Sequence, residues 1–341
     1  MEGSWIMNFV IIFSLIMLSV FTTSIFFVMV YSMSTNRRKV AQQYKGDLVN
    51  SQSVDLTGIN SIEIQCYQED VYFDSSDSEA FIINEYRSLA ADSGELATVI
   101  VEGDRLIITG RDAGVPNSKK YYRREEFCIP ASFKGVLSVE VTSGNIYSNV
   151  DLNNEYVKAS SDSGDIRLKE VIAQEIEVST SSGLVAVDKA EGRRRFHSVS
   201  GYIKISAGSG DSEITTTSGG ITMTNASGAL EINTSSGGLL VTSVKGGGSI
   251  KTNSGRIDCT LQEITSGVLL SSSSGDIVLQ VNDNADFQFE AVSERGNITT
   301  FFDEHLTYTG NGRQVFGAKG NGFINPLQIT TVSGDINVNR Y

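Results

Sequence analysis

Apolar and polar residues follow a repeating pattern from residue 137 to residue 341. Each repeat centres on a glycine within a Ser/Thr-rich turn, and nearly all repeats are 18 to 21 residues long. The residue five positions before each glycine is apolar, and the residue two positions after it is always branched aliphatic. The ten glycines are Gly144, Gly164, Gly183, Gly201, Gly219, Gly237, Gly255, Gly275, Gly296 and Gly334.

This repeat predicts a β-solenoid of about ten coils over residues 137–341. A unit this short cannot bury its own apolar side chains, so it must stack on copies of itself. We expect each glycine to form the corner of a coil, where glycine adopts a positive φ at low cost and neighbouring Ser, Asn or Asp bond to the backbone. The last spacing is 38 residues, and its Gly/Asn-rich part predicts a loop insertion near 305–325.

Residues 56–136 carry a looser pattern of short alternating runs, which predicts a β-strand cap region before the solenoid. Between the last two runs lies the polar, basic sequence RDAGVPNSKKYYRR, which we interpret as a long hairpin loop. The runs, which suggest five or six strands, are Ser61–Tyr67, Glu69–Phe73, Ala80–Tyr86, Leu96–Val101, Leu106–Thr109 and Glu126–Ile129.

The N-terminal pattern is different, because residues 5–31 contain no charge and are mostly apolar. At 1.5 Å per residue, a helix of this length is about 40 Å long and can cross a bilayer core of about 30 Å. Trp5 and Tyr31 stand at its two ends, where aromatic rings favour the membrane interface. We therefore predict a tail at 1–4, a transmembrane helix at 5–31 and a juxtamembrane linker at 32–55. The predicted fold class is all-β after this helix.

The orientation of the predicted anchor stays open from its flanks alone. Arg37, Arg38, Lys39 and Lys45 follow the apolar run, and only Glu2 precedes it. Basic residues beside a membrane helix favour the cytoplasmic side, which would keep the solenoid in the cytoplasm. Long C-terminal domains can nevertheless translocate largely regardless of their charge.

Composition narrows the possible partners and chemistry. The 341 residues include 33 Gly and only 3 Pro, and the formal net charge is −13. This charge disfavours binding to nucleic acid, whose phosphates require a basic surface. Two His and three scattered Cys do not form any recognisable metal motif, so we expect no metal and no cofactor.

Two basic clusters are candidates for contact with an anionic ligand. In the first cluster, at 119–124, aromatic rings interleave with bases, and we rank it above the second cluster, at 193–197. The alternative for both clusters is solvated loop charge without a ligand. The second consists of Arg193, Arg194 and Arg195 beside His197. The first consists of Lys119, Lys120, Tyr121, Tyr122, Arg123 and Arg124.

The carboxylates and thiols favour structural roles. Asp165, Asp276 and Asp335 each follow a corner glycine and are interpreted as turn residues. The remaining acids are dispersed along the coils, and this argues against the paired carboxylates of a polysaccharide-degrading enzyme. Cys259 occupies an inward coil position. Cys66 and Cys128 either remain thiols or pair with each other, and the sequence leaves both alternatives open.

Several segments resemble the bacterial putative-adhesin family of β-strand-repeat domains, of the domain of unknown function 4097 type. They are SIEIQCY, RLIITGR, EFCIPASFKGVLSVEVTSGNI, the recurrent SGD and SGG turns, and the closing ITTVSGDINV. The resemblance covers most of the chain after residue 55. It implies a β-strand-repeat fold in a cell-envelope setting and supplies no catalytic residues.

The predicted function is a non-enzymatic, adhesin-like binding or scaffolding module, held on the outer side of a bacterial cell membrane by residues 5–31. Its partner is expected to be an envelope polymer or protein. The alternative is a membrane-tethered cytoplasmic scaffold that self-associates into filaments, and the basic flank favours it. A wall-active enzyme ranks third because the carboxylates are scattered.

Overall fold

The fold is all-β in the computed structural model, which describes residues 46–88, 96–110, 122–303, 305–320 and 325–341. Within those ranges there is no helix that is both long and apolar enough to cross a membrane. The predicted tail at 1–4 and transmembrane helix at 5–31 lie outside the described residues.

The first nine strands include the predicted cap region, and the predicted runs there match observed strands closely. They are β1 (Asp47–Asp55), β2 (Ser61–Cys66), β3 (Asp70–Ser76), β4 (Ala80–Arg87), β5 (Thr98–Glu102), β6 (Arg105–Thr109), β7 (Arg123–Pro130), β8 (Val136–Val141) and β9 (Ile146–Asn153).

The remaining strands form the central and C-terminal repeats. They are β10 (Tyr156–Ser161), β11 (Ile166–Thr180), β12 (Val185–Ser198), β13 (Ile203–Ile205), β14 (Gly208–Ser209), β15 (Ser212–Thr216), β16 (Ile221–Thr224), β17 (Ala226–Ser236), β18 (Leu239–Ser254), β19 (Ile257–Ser272), β20 (Ile277–Val281), β21 (Phe287–Ser293), β22 (Ile298–Thr300), β23 (Leu306–Thr309), β24 (Gln314–Lys319), β25 (Pro326–Thr331) and β26 (Ile336–Arg340).

Each repeat forms one layer of the solenoid, and each layer contributes to two faces that meet at the glycine corner. Within a face, the strands of successive layers pair in parallel. Residues before the glycine form the first face, and residues after it form the second face; β11, β12, β18 and β19 are long enough to run through both. Buried and more exposed side chains alternate along most strands, and the inward residues two positions after the glycines, such as Ile166 and Ile221, are fully buried. The layered β-solenoid predicted from the repeat is confirmed.

The cap region belongs to the solenoid itself, so the predicted boundary at residue 137 is wrong. Strands β2 and β3 pair in parallel with β8 and β9 and form a layer directly beneath that of Gly144. Strands β6 and β7 form the next layer out, pairing with β2 and β3 respectively. The two strands flanking the predicted hairpin loop therefore lie on different faces, and residues 111–121 of that loop lie outside the described residues.

Antiparallel strands close this N-terminal end. Strand β5 pairs with β6 on the first face. On the second face β4 pairs with β7, and β1 pairs with β4. The predicted linker at 32–55 is therefore wrong over Asp47–Asp55. These residues are mostly polar, and their partner β4 lies far along the chain, so no local pattern indicates the strand.

The last layers are stacked in a different order from the sequence. Strand β25 lies between β19 and β21, and β26 lies between β20 and β22. The Gly334 layer is thus inserted between the layers of Gly275 and Gly296. The predicted loop near 305–325 contains the antiparallel hairpin of β23 and β24, and β24 pairs with β21 to close the first face.

The corner glycines have a different physical role from the predicted one, because none of the ten has a positive φ. They stack in a column, and a Cβ on Gly164 would lie 2.6 Å from the carbonyl carbon of Gly144 and overlap its oxygen. A buried hydroxyl stands three positions before most of these glycines. Ser161, for example, accepts from the Gly164 N–H (2.9 Å) and donates to the Gly144 carbonyl (3.0 Å), joining two layers.

Candidate binding groove

The structure describes three of the six residues of the first predicted basic cluster. Lys119, Lys120 and Tyr121 lie outside the described residues. Tyr122 is half-buried, and Arg123 and Arg124 belong to β7, where they are 1% and 7% exposed. Both arginines lie in a strand instead of the predicted loop: Arg123 faces inward, and Arg124 lies on the outer side beneath the rings of Tyr72 and Tyr86.

Carboxylates and aromatic rings already engage these two arginines. Arg123 lies 3.5 Å from the Glu69 carboxylate, which also accepts the backbone N–H groups of Tyr67 and Gln68. Arg124 pairs with Glu126, and its guanidinium stacks 4.3 Å from the Tyr72 ring centroid. These two arginines stabilise the N-terminal layers through contacts that already occupy their guanidinium groups.

A buried charge cluster lies beside them between β4 and β7. Arg87 donates to Glu85 at 3.0 Å and to Glu125 at 2.8 Å, and all three side chains are at most 3% exposed. Glu85 also accepts from the Ala97 N–H and from Asn50. The second carboxylate oxygen of Glu125, Oε2, has no hydrogen-bond partner. Burial is the main reason that the pKa of Glu125 is raised well above its ordinary value.

The second basic cluster divides among three environments. Arg194 points into the core, donates to the carbonyls of Ala190 (3.1 Å) and Gly210 (2.5 Å), and its burial lowers its pKa to about 10. Arg195 is outward and pairs with Glu175 and Glu177. Arg193 is exposed, and His197 bonds to Thr215 on the next strand (2.8 Å).

Arg195 begins a column of outward residues that crosses the first face. Each member lies directly beside the next on the neighbouring strand, from β12 through β15, β17, β18, β19, β25 and β21 to β24. The column is Arg195, Glu213, Glu231, Ser249, Leu269, Gln328, Glu290 and Phe316. With strands about 4.8 Å apart, its seven steps span about 34 Å.

Two adjoining depressions follow this column and make one groove. The first, of about 490 Å³, runs from Arg193 and Arg195 to Gln328 and Pro326. The second, of about 630 Å³, shares Gln328 and Pro326 and continues to Phe316. We call the two together the axial groove. Only the arginine end of this groove was predicted from the sequence, although Glu213 and Glu231 share one repeat position with Arg195 and indicate a common face.

Small residues form part of the groove floor. Ala229, Gly248 and Gly267 line the first depression. Leu230, Val268 and Leu269 add apolar surface there, and Phe316, 38% exposed, lines the far end. An extended chain can therefore lie close to the backbone of several layers while side chains contact it from both sides.

The thiols and dispersed acids take structural positions. Cys66, Cys128 and Cys259 are all free, and burial raises the pKa of the Cys259 thiol to about 12. Asp165 and Asp335 accept backbone N–H groups of the adjacent layer at the corner. In the part of the chain that the structure describes, His, Cys, Asp and Glu side chains form no group of three or more able to hold a metal ion.

Comparison with known proteins gives distant structural relatives and a family. A putative cell adhesion protein from Clostridium sporogenes is 10% identical, covers 86% of this chain and 98% of its own, and has a TM-score of 0.21. A putative adhesin from Bacteroides fragilis is 13% identical, with coverages of 85% and 96% and a TM-score of 0.34. No curated protein matches. The family model described as Toastrack DUF4097 matches residues 59–230 and 225–339.

Proposed function

The chain belongs to the Toastrack DUF4097 family, and from this premise we propose that it is a non-enzymatic, adhesin-like binding module of the bacterial cell envelope. The observation that carries the proposal is the axial groove. It crosses eight neighbouring strands in one unbroken register, and its lining mixes polar, charged and apolar side chains. A surface of this length suits an extended polymer better than a compact metabolite.

The cellular setting is part of the proposal. Residues 5–31 would anchor the protein in the cell membrane, with the solenoid on the extracytoplasmic side. The first described strand, β1, begins at Asp47 and lies at the outermost edge of the N-terminal end. A tether entering there would place the N-terminal end next to the membrane and hold the axial groove farther out, where an envelope polymer can reach it.

The alternative, a cytoplasmic scaffold that self-associates into filaments, fits the ends of the solenoid less well. Parallel stacking of solenoids requires an open parallel edge at both ends. Antiparallel strands β1 and β5 cover both faces at the N-terminal end, and β23 covers the first face at the other end. These strands weigh against end-to-end growth.

The test is binding of the detergent-solubilised full chain to isolated cell walls. Ala229→Trp fills the floor of the axial groove, and Ala186→Trp places the same ring on an outward position of the second face as a control. We expect Ala229→Trp to reduce the bound fraction at least about tenfold and Ala186→Trp to leave it unchanged. Equal binding by both variants and the parent chain would contradict the proposed role of the groove.

A further inference from the structure

We propose that the axial groove binds a linear glycan whose sugars carry free amino groups. This inference rests on the proposed function and specifies its ligand. Three observations carry it: the direction of the groove relative to the strands, the spacing of its layers, and the charges along the column from Arg195 to Phe316.

The direction of the groove disfavours a peptide. Peptides that bind β-sheets commonly add a strand to an open edge and bond through their backbone. Every strand that the groove crosses, from β15 to β21, is paired on both sides, so its backbone groups are already used. A ligand in this groove must therefore bond mainly to side chains, as hydroxyl and amino groups of a sugar can do.

The spacing of the layers favours a sugar chain. Successive side chains of the column are about 4.8 Å apart, and one pyranose ring in an extended chain advances by a similar distance. An extended peptide advances only about 3.3 Å per residue, so its side chains fall out of step with the layers. A glycan can repeat the same contact over Glu231, Ser249 and Leu269, with one sugar above each strand.

The charge along the groove favours a cationic chain. Glu213, Glu231 and Glu290 project from the column, and Asp211 lines the same depression. Three arginines line this depression: Arg194 points into the core, Arg193 is exposed, and Arg195 is paired with Glu175 and Glu177 and lies 3.6 Å from the Glu213 carboxylate. The groove thus keeps an excess of negative charge, and hydrogen bonds from ammonium groups to carboxylates are stronger than bonds between neutral groups.

The far end of the groove supplies an apolar surface for a sugar ring. Phe316 is exposed beside Glu290, and Gln328 donates to the Glu290 carboxylate at 2.8 Å. This arrangement holds a carboxylate next to an aromatic face. A sugar there can place its C–H surface on the ring and its amino group against Glu290.

The experiment is a calorimetric titration of the solubilised full chain with two hexasaccharides that differ only in N-acetylation, a glucosamine hexamer with free amino groups and its N-acetylated, uncharged form. We expect the glucosamine hexamer to bind at least about tenfold more tightly. Glu231→Gln should remove most of that preference. Asp188→Asn, which removes one exposed acid from the second face, should retain it.

Other outcomes overturn the inference in distinguishable ways. Equal binding of both hexamers would remove the amino-group requirement, and hexalysine binding as tightly as the glucosamine hexamer would show a peptide or a purely ionic ligand. Both results leave the proposed function intact if Ala229→Trp still abolishes binding to cell walls. If neither hexamer binds and the Trp variant binds walls normally, the inference and the proposed function both fail.

Discussion

The corner glycines are needed for a different physical reason from the one that the sequence predicts. We expected positive φ, but the structure places it at a second set that includes Gly192, Gly210 and Gly228, whereas the corner glycines are conformationally ordinary. Their constraint is the close approach of neighbouring layers. Both sets recur in the sequence with the period of the repeat, but this spacing does not distinguish a clash with the next layer from a left-handed turn.

Adjacent glycines provide a direct test of this explanation. A Cβ on Gly237 would lie 2.7 Å from the Gly219 carbonyl carbon, whereas the nearest atom to a Cβ on Gly238 is 3.9 Å away. We expect Gly237→Ala to lower the free energy of unfolding by about 3 kcal/mol and Gly238→Ala to change it by less than about 1 kcal/mol. Urea unfolding of the full chain measures both, and equal losses would refute the stacking role.

The buried carboxyl of Glu125 predicts a pH dependence of stability. Burial raises its pKa above the ordinary 4.5, so the folded chain binds this proton more tightly than the unfolded chain. Its contribution to stability is therefore complete below about pH 4.5 and is lost as pH rises through the raised pKa.

Glu125→Gln tests this contribution because the amide cannot titrate but retains an acceptor for Arg87. We expect the variant to lose less stability than the parent chain when the pH of urea unfolding is raised from 5 to 8. Glu263→Gln, at an exposed position, serves as the control and should follow the parent curve. A parent-like pH profile for Glu125→Gln would contradict the assignment.

At the scale of the strand, alternation is the feature that the repeat predicts best. Ile221 on β16 is fully buried, whereas Thr222 faces outward and contacts the Tyr202 hydroxyl. Ile221→Asp should destabilise the chain by at least about 4 kcal/mol, because it buries an unpaired carboxylate. Thr222→Asp should cost less than about 1 kcal/mol in the same urea melts. Similar losses for both variants would show that the assigned strand register is wrong.

The repeats predict the approximate number of layers, but they do not predict the order in which the layers stack. Every repeat carries the same corner, so a motif does not specify which repeat is its neighbour. The Gly334 layer consequently pairs with those of Gly275 and Gly296, and β2 and β3 lie inside β6 and β7. Arg123 and Arg124 were misassigned to a loop because Glu69 and Tyr72, which they contact, are distant in sequence.

At the scale of the whole molecule, the proposed anchor gives a testable topology. Ser34 lies three residues after the predicted membrane helix at 5–31. If the solenoid is extracytoplasmic, Ser34→Cys on intact cells should react with a membrane-impermeant maleimide. The native thiols Cys66 and Cys259 are buried and should remain unlabelled in the folded protein. Labelling only after lysis would reverse the topology and favour the cytoplasmic alternative.

The axial groove connects the sequence repeat with the proposed function. A polymer can make the same contact on successive layers only if the strands of those layers keep one register. The eight residues of the column from Arg195 to Phe316 keep one register, although β24 is antiparallel and β25 is out of chain order. Binding should therefore affect the first face along much of its length. The second face, where Tyr202 and Leu240 are each 44% exposed, should be unaffected.

The most direct test is hydroxyl-radical footprinting of the full chain in its native envelope, compared with the purified protein. If the axial groove holds an envelope polymer, oxidation of Leu269 and Phe316 should fall several-fold in the envelope while Tyr202 and Leu240 remain equally reactive. Protection of Tyr202 and Leu240 with unchanged oxidation of Leu269 and Phe316 would contradict the account.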